Sequence, residues 1–124
     1  MCFACGPKNP IGLKLVFKLV DGKFVAHFTP RPEHQGYDDI THGGIISTLL
    51  DEAMAKLVYA MGYLALTAEL NIRYKKPAKI GEELIVSGWV VSEVKRVISC
   101  AAEIRNPRGE LVAEATGKMM KVSG

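Results

Sequence analysis

The residues with the most chemical content form one run, Thr41-His42-Gly43-Gly44-Ile45-Ile46-Ser47-Thr48-Leu49-Leu50-Asp51-Glu52-Ala53. Gly43 and Gly44 stand where a helix begins, and without side chains there a ligand can approach the first backbone N–H groups closely. Those groups and the helix dipole favour negative charge. An oxyanion developing on an attacked carbonyl needs such an end, although the same glycines would equally serve a helix that starts tight against a sheet. Asp51 and Glu52 are adjacent and so point about 100° apart. At most one shares the apolar face. Asp51, beside Leu50 and Met54, would be partly desolvated and suited to act as a base or nucleophile; the alternative is a solvated helix face. Glu52 reads as solvated and paired with Lys56 one turn on.

Distance constrains how these features cooperate. Asp51 lies eight residues beyond Gly43, which is ~12 Å along a helix axis. An acid and an oxyanion site serving one carbonyl must both lie within a few ångströms of it. One helix cannot supply both. Two antiparallel copies can, with the entrance of one beside Asp51 of the other, so cooperation requires at least a two-fold homodimer with two shared sites.

The elements that position these residues follow from periodicity. Leu13, Leu15, Phe17 and Leu19 alternate with Lys14 and Lys18, predicting a strand; Asp21-Gly22 signals a hairpin turn into a second strand with Phe24, Ala26 and Phe28, ended by Pro30 and Pro32. From Gly43 to Met61 the apolar residues Ile46, Leu49, Leu50, Ala53, Met54, Leu57 and Met61 recur at steps of three and four, predicting a helix largely enclosed by other structure. Alternation then returns. Ala68, Leu70, Ile72 and Tyr74 oppose Thr67, Glu69, Asn71 and Arg73. Strands follow near 83–92, near 95–105 with Ile98, Cys100, Ala102 and Ile104 on one face, and through Leu111, Ala113, Ala115 and Met119 after the turn Asn106-Pro107-Arg108-Gly109. The expected class is α+β: a six-stranded antiparallel sheet curled around one long central helix.

A length of 124 residues predicts one domain, residues 1–124, with 1–12 as an irregular lead-in. Apolar residues at 48% and charged residues at 23% place the chain among folded globular proteins rather than disordered ones. The net charge of +3 comes from scattered basic residues, which argues against a nucleic-acid partner while leaving room for an anionic small ligand. No apolar run has the length of a membrane span. Three cysteines fit a reducing compartment, and a cytoplasmic location is expected. Cys2 and Cys5 form one CxxC without the further ligands of a zinc site, so no metal is expected. Cys100 reads as core and His27 as a half-exposed strand residue. Lys75, Lys76 and Lys79 are candidates for ligand phosphates, against a reading as solvated loop charge.

His42-Gly43-Gly44 with an aspartate nine residues after the histidine, then Thr67-Ala68-Glu69-Leu70-Asn71-Ile72-Arg73-Tyr74-Lys75-Lys76-Pro77-Ala78, resembles the PaaI-like branch of the hotdog-fold acyl-CoA thioesterases. The opening Cys2-Phe3-Ala4-Cys5-Gly6 with Asn9-Pro10-Ile11-Gly12-Leu13 also resembles a lead-in of that branch. The resemblance implies a sheet wrapped around the helix, dimers joined sheet edge to sheet edge, and often tetramers. It implies hydrolysis of an acyl-CoA to a carboxylic acid and free coenzyme A, with no metal or redox cofactor. Asp51 would be general base or nucleophile, the Gly43 N–H of the partner chain the oxyanion donor, His42 a carbonyl-positioning group and Thr67 the hydroxyl that orients acid or water. The family often carries an asparagine where this chain has Gly36, and the neighbouring Gln35 is the candidate replacement. Gly44, Gln35, Lys75 and Lys76 complete the expected substrate contacts. The alternative is a non-catalytic acyl-CoA-binding protein, a sensor or carrier.

Overall fold

The computed structural model describes residues 3–4 and 6–123, so the Cys2/Cys5 pair lies outside the described residues. Its elements are β1 (Lys18–Val20), β2 (Lys23–Phe28), a single 3-10 turn (Pro32–His34), α1 (Gly43–Ala60), β3 (Leu64–Tyr74), β4 (Leu84–Val94), β5 (Val97–Arg105) and β6 (Leu111–Ser123). The strands form one six-stranded antiparallel sheet in the order β1-β2-β4-β5-β6-β3. The sheet curls around α1, which packs against every strand from β2 to β6. This is the α+β hotdog arrangement that the residue pattern and the resemblance imply.

Periodicity accounts for the packing of the helix. Ile46, Leu49, Leu50, Ala53, Met54, Leu57 and Val58 are buried along α1. They meet Leu84, Val86, Ile98, Cys100, Ala102, Ile104, Ala113, Ala115 and Met119 from the concave face of the sheet. Each fully buried aliphatic side chain contributes roughly 1.5–3 kcal/mol, so packing rather than helix propensity holds α1 in place. At Gly88 a side chain would begin 2.9 Å from the Ala53 carbonyl oxygen, and this glycine lets the helix backbone rest directly on β4.

Two local expectations are corrected. The first strand is much shorter than the run Leu13–Leu19 predicts. Lys14 takes a positive φ of 55°, which breaks an extended ladder. Leu13 and Leu15 still enter the core, but their N–H groups bond to the carbonyls of Phe3 and Ala4, so the lead-in is tied down where a partner strand was expected. Leu19, expected on the same inward face, is exposed. The second correction concerns Glu52. Lys56 lies over the Tyr59 ring, 5.6 Å from its centroid, and no Glu52–Lys56 pair forms among the described residues.

The sheet ends at β3. This strand is eleven residues long and unpaired on its outer side. At the opposite end β1 is only three residues. A long edge strand without a cover is a template for further strand pairing. Leu64 and Leu66 stand exposed along it.

Candidate active site

Asp51 sits in the middle of α1, on the flank facing β3. Its Oδ1 accepts a 2.7 Å hydrogen bond from Thr67 Oγ1. Simple alternation places Thr67 with the outward Glu69 and Asn71, and the structure shows how it turns inward. Thr67 pairs with Met119 and Glu69 with Lys118, so Ala68 is an extra residue in β3, a bulge. A bulge reverses side-chain parity and re-aims what precedes it. Met119 is buried in the core, and Thr67, directly opposite, points to the same face and also reaches its sulfur at 3.5 Å. Beyond the bulge Leu70 and Ile72 pack against the core, while Glu69 faces out to Lys118 at 3.6 Å.

The helix entrance is built by His42, which caps α1 from a non-helical conformation (φ −59°, ψ 136°) and accepts the Gly44 N–H on Nδ1 at 2.8 Å. With Nδ1 as acceptor, the ring proton resides on Nε2, which is left as a donor. A side chain at Gly44 would begin 3.0 Å from His42 Nδ1, so the capping imidazole would have to shift by a few tenths of an ångström to admit one. The cap uses the Gly44 amide inside the chain. Gly43 is different: among the described residues nothing accepts its N–H. Of the two glycine amides, Gly43 is the one open to a ligand.

Two depressions flank this entrance. One of about 320 Å³ is lined by Phe3, His34, Gln35, His42, Gly44 and Thr48 among others. Gln35 Oε1 accepts the Asp39 N–H at 3.1 Å, and its amide nitrogen has no hydrogen-bond partner among the described residues. Gly36 lies against His42 and offers no side chain. His34, which the sequence reading did not single out, accepts the His42 N–H on its carbonyl oxygen at 2.8 Å. Burial, and then the Arg31 charge, hold its imidazole below the usual histidine range, and its ring packs on Phe28. A histidine between the ends of two pattern-free loops carries no periodic signal.

The second depression, about 380 Å³, is lined by Tyr37, Thr41, Gly43, Tyr74, Lys75 and Lys76 among others. Lys76 is engaged by Glu110 at 2.7 Å, whereas the Lys75 ammonium has no carboxylate partner among the described residues. Lys76, Asn106 and Arg108, in that order, hold the Glu110 carboxyl down to about 2 from the usual 4.5. A carboxyl lowered on folding favours the native state above its ordinary value, and this contribution fades as pH falls through about 2. An NMR titration is expected to find Glu110 protonating near that value, and Lys76→Ala to move the midpoint upward; a midpoint at 4.5 in the unaltered protein would refute the network. A further concavity of about 740 Å³, around Arg73, Trp89, Glu103 and Glu114, holds none of the candidate residues.

The structure therefore brings Asp51 and Thr67 together, and separately His42, Gly43 and Gly44, with Gln35 on one side and Lys75 and Lys76 on the other. Within one chain the first pair lies midway along the helix and the second group at its start. No group of three or more acidic, histidine or cysteine side chains fit to hold a metal occurs among the described residues, and no helix there is long and apolar enough to cross a membrane.

Known proteins share this fold. The sequence profile of the Thioesterase superfamily matches residues 39–113. This chain belongs to that superfamily. It is 29% identical to human acyl-coenzyme A thioesterase 13 over 101 residues, spanning 80% of this chain and 67% of that protein. The PaaI protein of Escherichia coli, from the phenylacetic acid degradation operon, superposes with a TM-score of 0.84 at 25% identity, covering 90% of this chain and 82% of that one. A hypothetical thioesterase protein of Streptococcus pneumoniae, solved with coenzyme A, gives 0.83 at 25% identity over 88% and 89% of the two chains. The PaaI-like character expected from the motifs is borne out.

Proposed function

We propose that this protein is an acyl-CoA thioesterase acting as a two-fold homodimer, with Asp51 of one chain and the Gly43 N–H of the other at each site. The observation that carries this reading is the 2.7 Å bond from Thr67 to Asp51, which holds a carboxylate in one orientation on the helix flank beside the open edge strand. Superfamily membership and a relative solved with coenzyme A support the substrate class. The free Gly43 amide at a helix entrance supports the oxyanion role.

Pairing of two β3 edges about a two-fold axis would continue the sheet and lay the helices antiparallel, bringing the entrance of one beside Asp51 of the other. In that site the thioester oxygen receives the Gly43 N–H, with His42 Nε2–H as a second donor. Asp51 either removes a proton from water as its oxygen bonds to the carbonyl carbon, or bonds to that carbon itself. The C–S bond then breaks and coenzyme A leaves as the thiolate, which takes up a proton. On the base route the carboxylic acid is then complete, whereas on the direct route water hydrolyses the acyl–Asp51 anhydride; Thr67 keeps the acid aligned in both. Gln35 faces the acyl-thioester arm, and Lys75, which has no carboxylate partner among the described residues, faces the phosphates. A further pairing of dimers into tetramers, and a cytoplasmic setting, belong to the same reading.

The test is thiol release from aryl, short-chain and long-chain acyl-CoAs. Turnover of at least one class is expected. Saturable binding of every class without release would instead establish a carrier or sensor.

A further inference from the structure

Three oxygens meet over the first turn of α1. Ser47 Oγ lies 3.1 Å from the Gly43 carbonyl oxygen and 2.5 Å from the Tyr74 hydroxyl oxygen, which is itself 3.3 Å from the same carbonyl. The carbonyl can only accept. Two hydroxyl protons therefore have two closed arrangements: Tyr74 to Ser47 to carbonyl, or Ser47 to Tyr74 to carbonyl. In both, Gly43 is tied to the last residue of β3. The tyrosine ring adds a wall, 3.9 Å from where a Gly43 side chain would begin. Sequence alternation puts Tyr74 on the face of Leu70 and Ile72, as another packing residue; its half-exposed position and hydroxyl contacts show a different use.

We propose that Tyr74, together with Ser47, is a positioning residue that holds Gly43 so that its N–H points at the thioester carbonyl. This rests on the reading of Gly43 as oxyanion donor. Strand β3 then serves both the middle and the start of the helix. Near its start Thr67 aligns Asp51, and at its end Tyr74 aligns Gly43. Because the two groups belong to different sites of the dimer, one strand keeps each chain's acid in register with the partner's Gly43 and each chain's amide in register with the partner's Asp51.

Positioning errors act on turnover, and a displacement of about 1 Å costs up to 10²-fold in rate. Tyr74→Phe keeps the ring and removes the hydroxyl. It is expected to lower kcat about 10-fold with KM within about twofold, the pattern of an interaction realised in the transition state. Ser47→Ala should do the same, and the double variant should be no worse than either single one, since the two hydroxyls work as a unit. The amide resonance of Gly43 in ¹H–¹⁵N spectra of the unliganded protein should shift in Tyr74→Phe. Turnover of Tyr74→Phe within about twofold of the unaltered protein, a KM effect without a kcat effect, additive losses, or an unmoved Gly43 resonance would each overturn the proposal. If Asp51→Asn leaves thiol release intact, the site assignment fails instead, and the Gly43 resonance still judges the Tyr74 contact.

Discussion

Asp51→Asn is expected to lower kcat/KM for the best acyl-CoA by about 10³-fold, within the range for removing a general base. The substitution keeps side-chain shape and leaves an oxygen to accept from Thr67, whose hydroxyl sits 2.7 Å from Asp51 Oδ1. What it removes is the capacity to take a proton from water or to attack the thioester carbon. Both routes lose the same group, so the loss is expected whichever the enzyme follows. Melting temperature and dimerisation should be unchanged, because Asp51 makes no other hydrogen bond among the described residues. Thiol release and thermal melts on the same preparations check this, and a rate within about tenfold of the unaltered protein would remove Asp51 from the chemistry. Single turnover in labelled water probes the routes: labelled oxygen in Asp51 establishes direct attack with water entering at the Asp51 carboxyl carbon, because base catalysis places the label in the acid product only.

Gly43→Pro is the second large effect, and it tests a backbone atom directly. Gly43 is the first helical residue, the one position of a helix interior where proline is well tolerated because no intrahelical bond uses its N–H. His42, at φ −59° and ψ 136°, already has the extended conformation that a residue before proline prefers. A side chain at Gly43 meets only Tyr74 ring atoms at ordinary contact distance. The fold should therefore survive while the oxyanion donor disappears, with kcat down by about 10²–10³-fold. Mixing this variant with Asp51→Asn sharpens the result. In a mixed dimer one site carries both defects and the other carries neither, so random exchange should restore about a quarter of full activity from two nearly inactive proteins. Failure of any recovery, with subunit exchange demonstrated by mass spectrometry, would place acid and amide in one chain and end the shared-site mechanism.

Much of this was readable residue by residue. The three- and four-residue steps from Ile46 to Leu57 place the helix, because burying one stripe against a sheet requires that spacing. Alternation in 97–105 and 111–119 does the same for β5 and β6. The separation of Asp51 from Gly43 follows from helical rise alone, and cooperation of the two in one site would require a second chain. Lys14 shows where such reading stops: its alternation with Leu13 and Leu15 is genuine, yet a positive φ at Lys14 diverts the backbone toward Phe3 and Ala4. Nothing in the local spacing marks that exchange of partners.

The same boundary runs through the site. Composition and period in this chain suffice for one helix inside an antiparallel sheet, for a carboxylate midway along it and for glycines at its start, since each is a property of neighbours three or four residues apart. The inward turn of Thr67 depends on an extra residue at Ala68 opposite β6, a matter of register between segments some fifty residues apart. The consumption of one glycine amide by His42, leaving the other free, and the joining of Ser47 to Tyr74 depend equally on where separate segments come to rest. Hydrogen bonds between distant parts of a chain leave no period in its sequence, so they emerge only when packing has brought their donors and acceptors together.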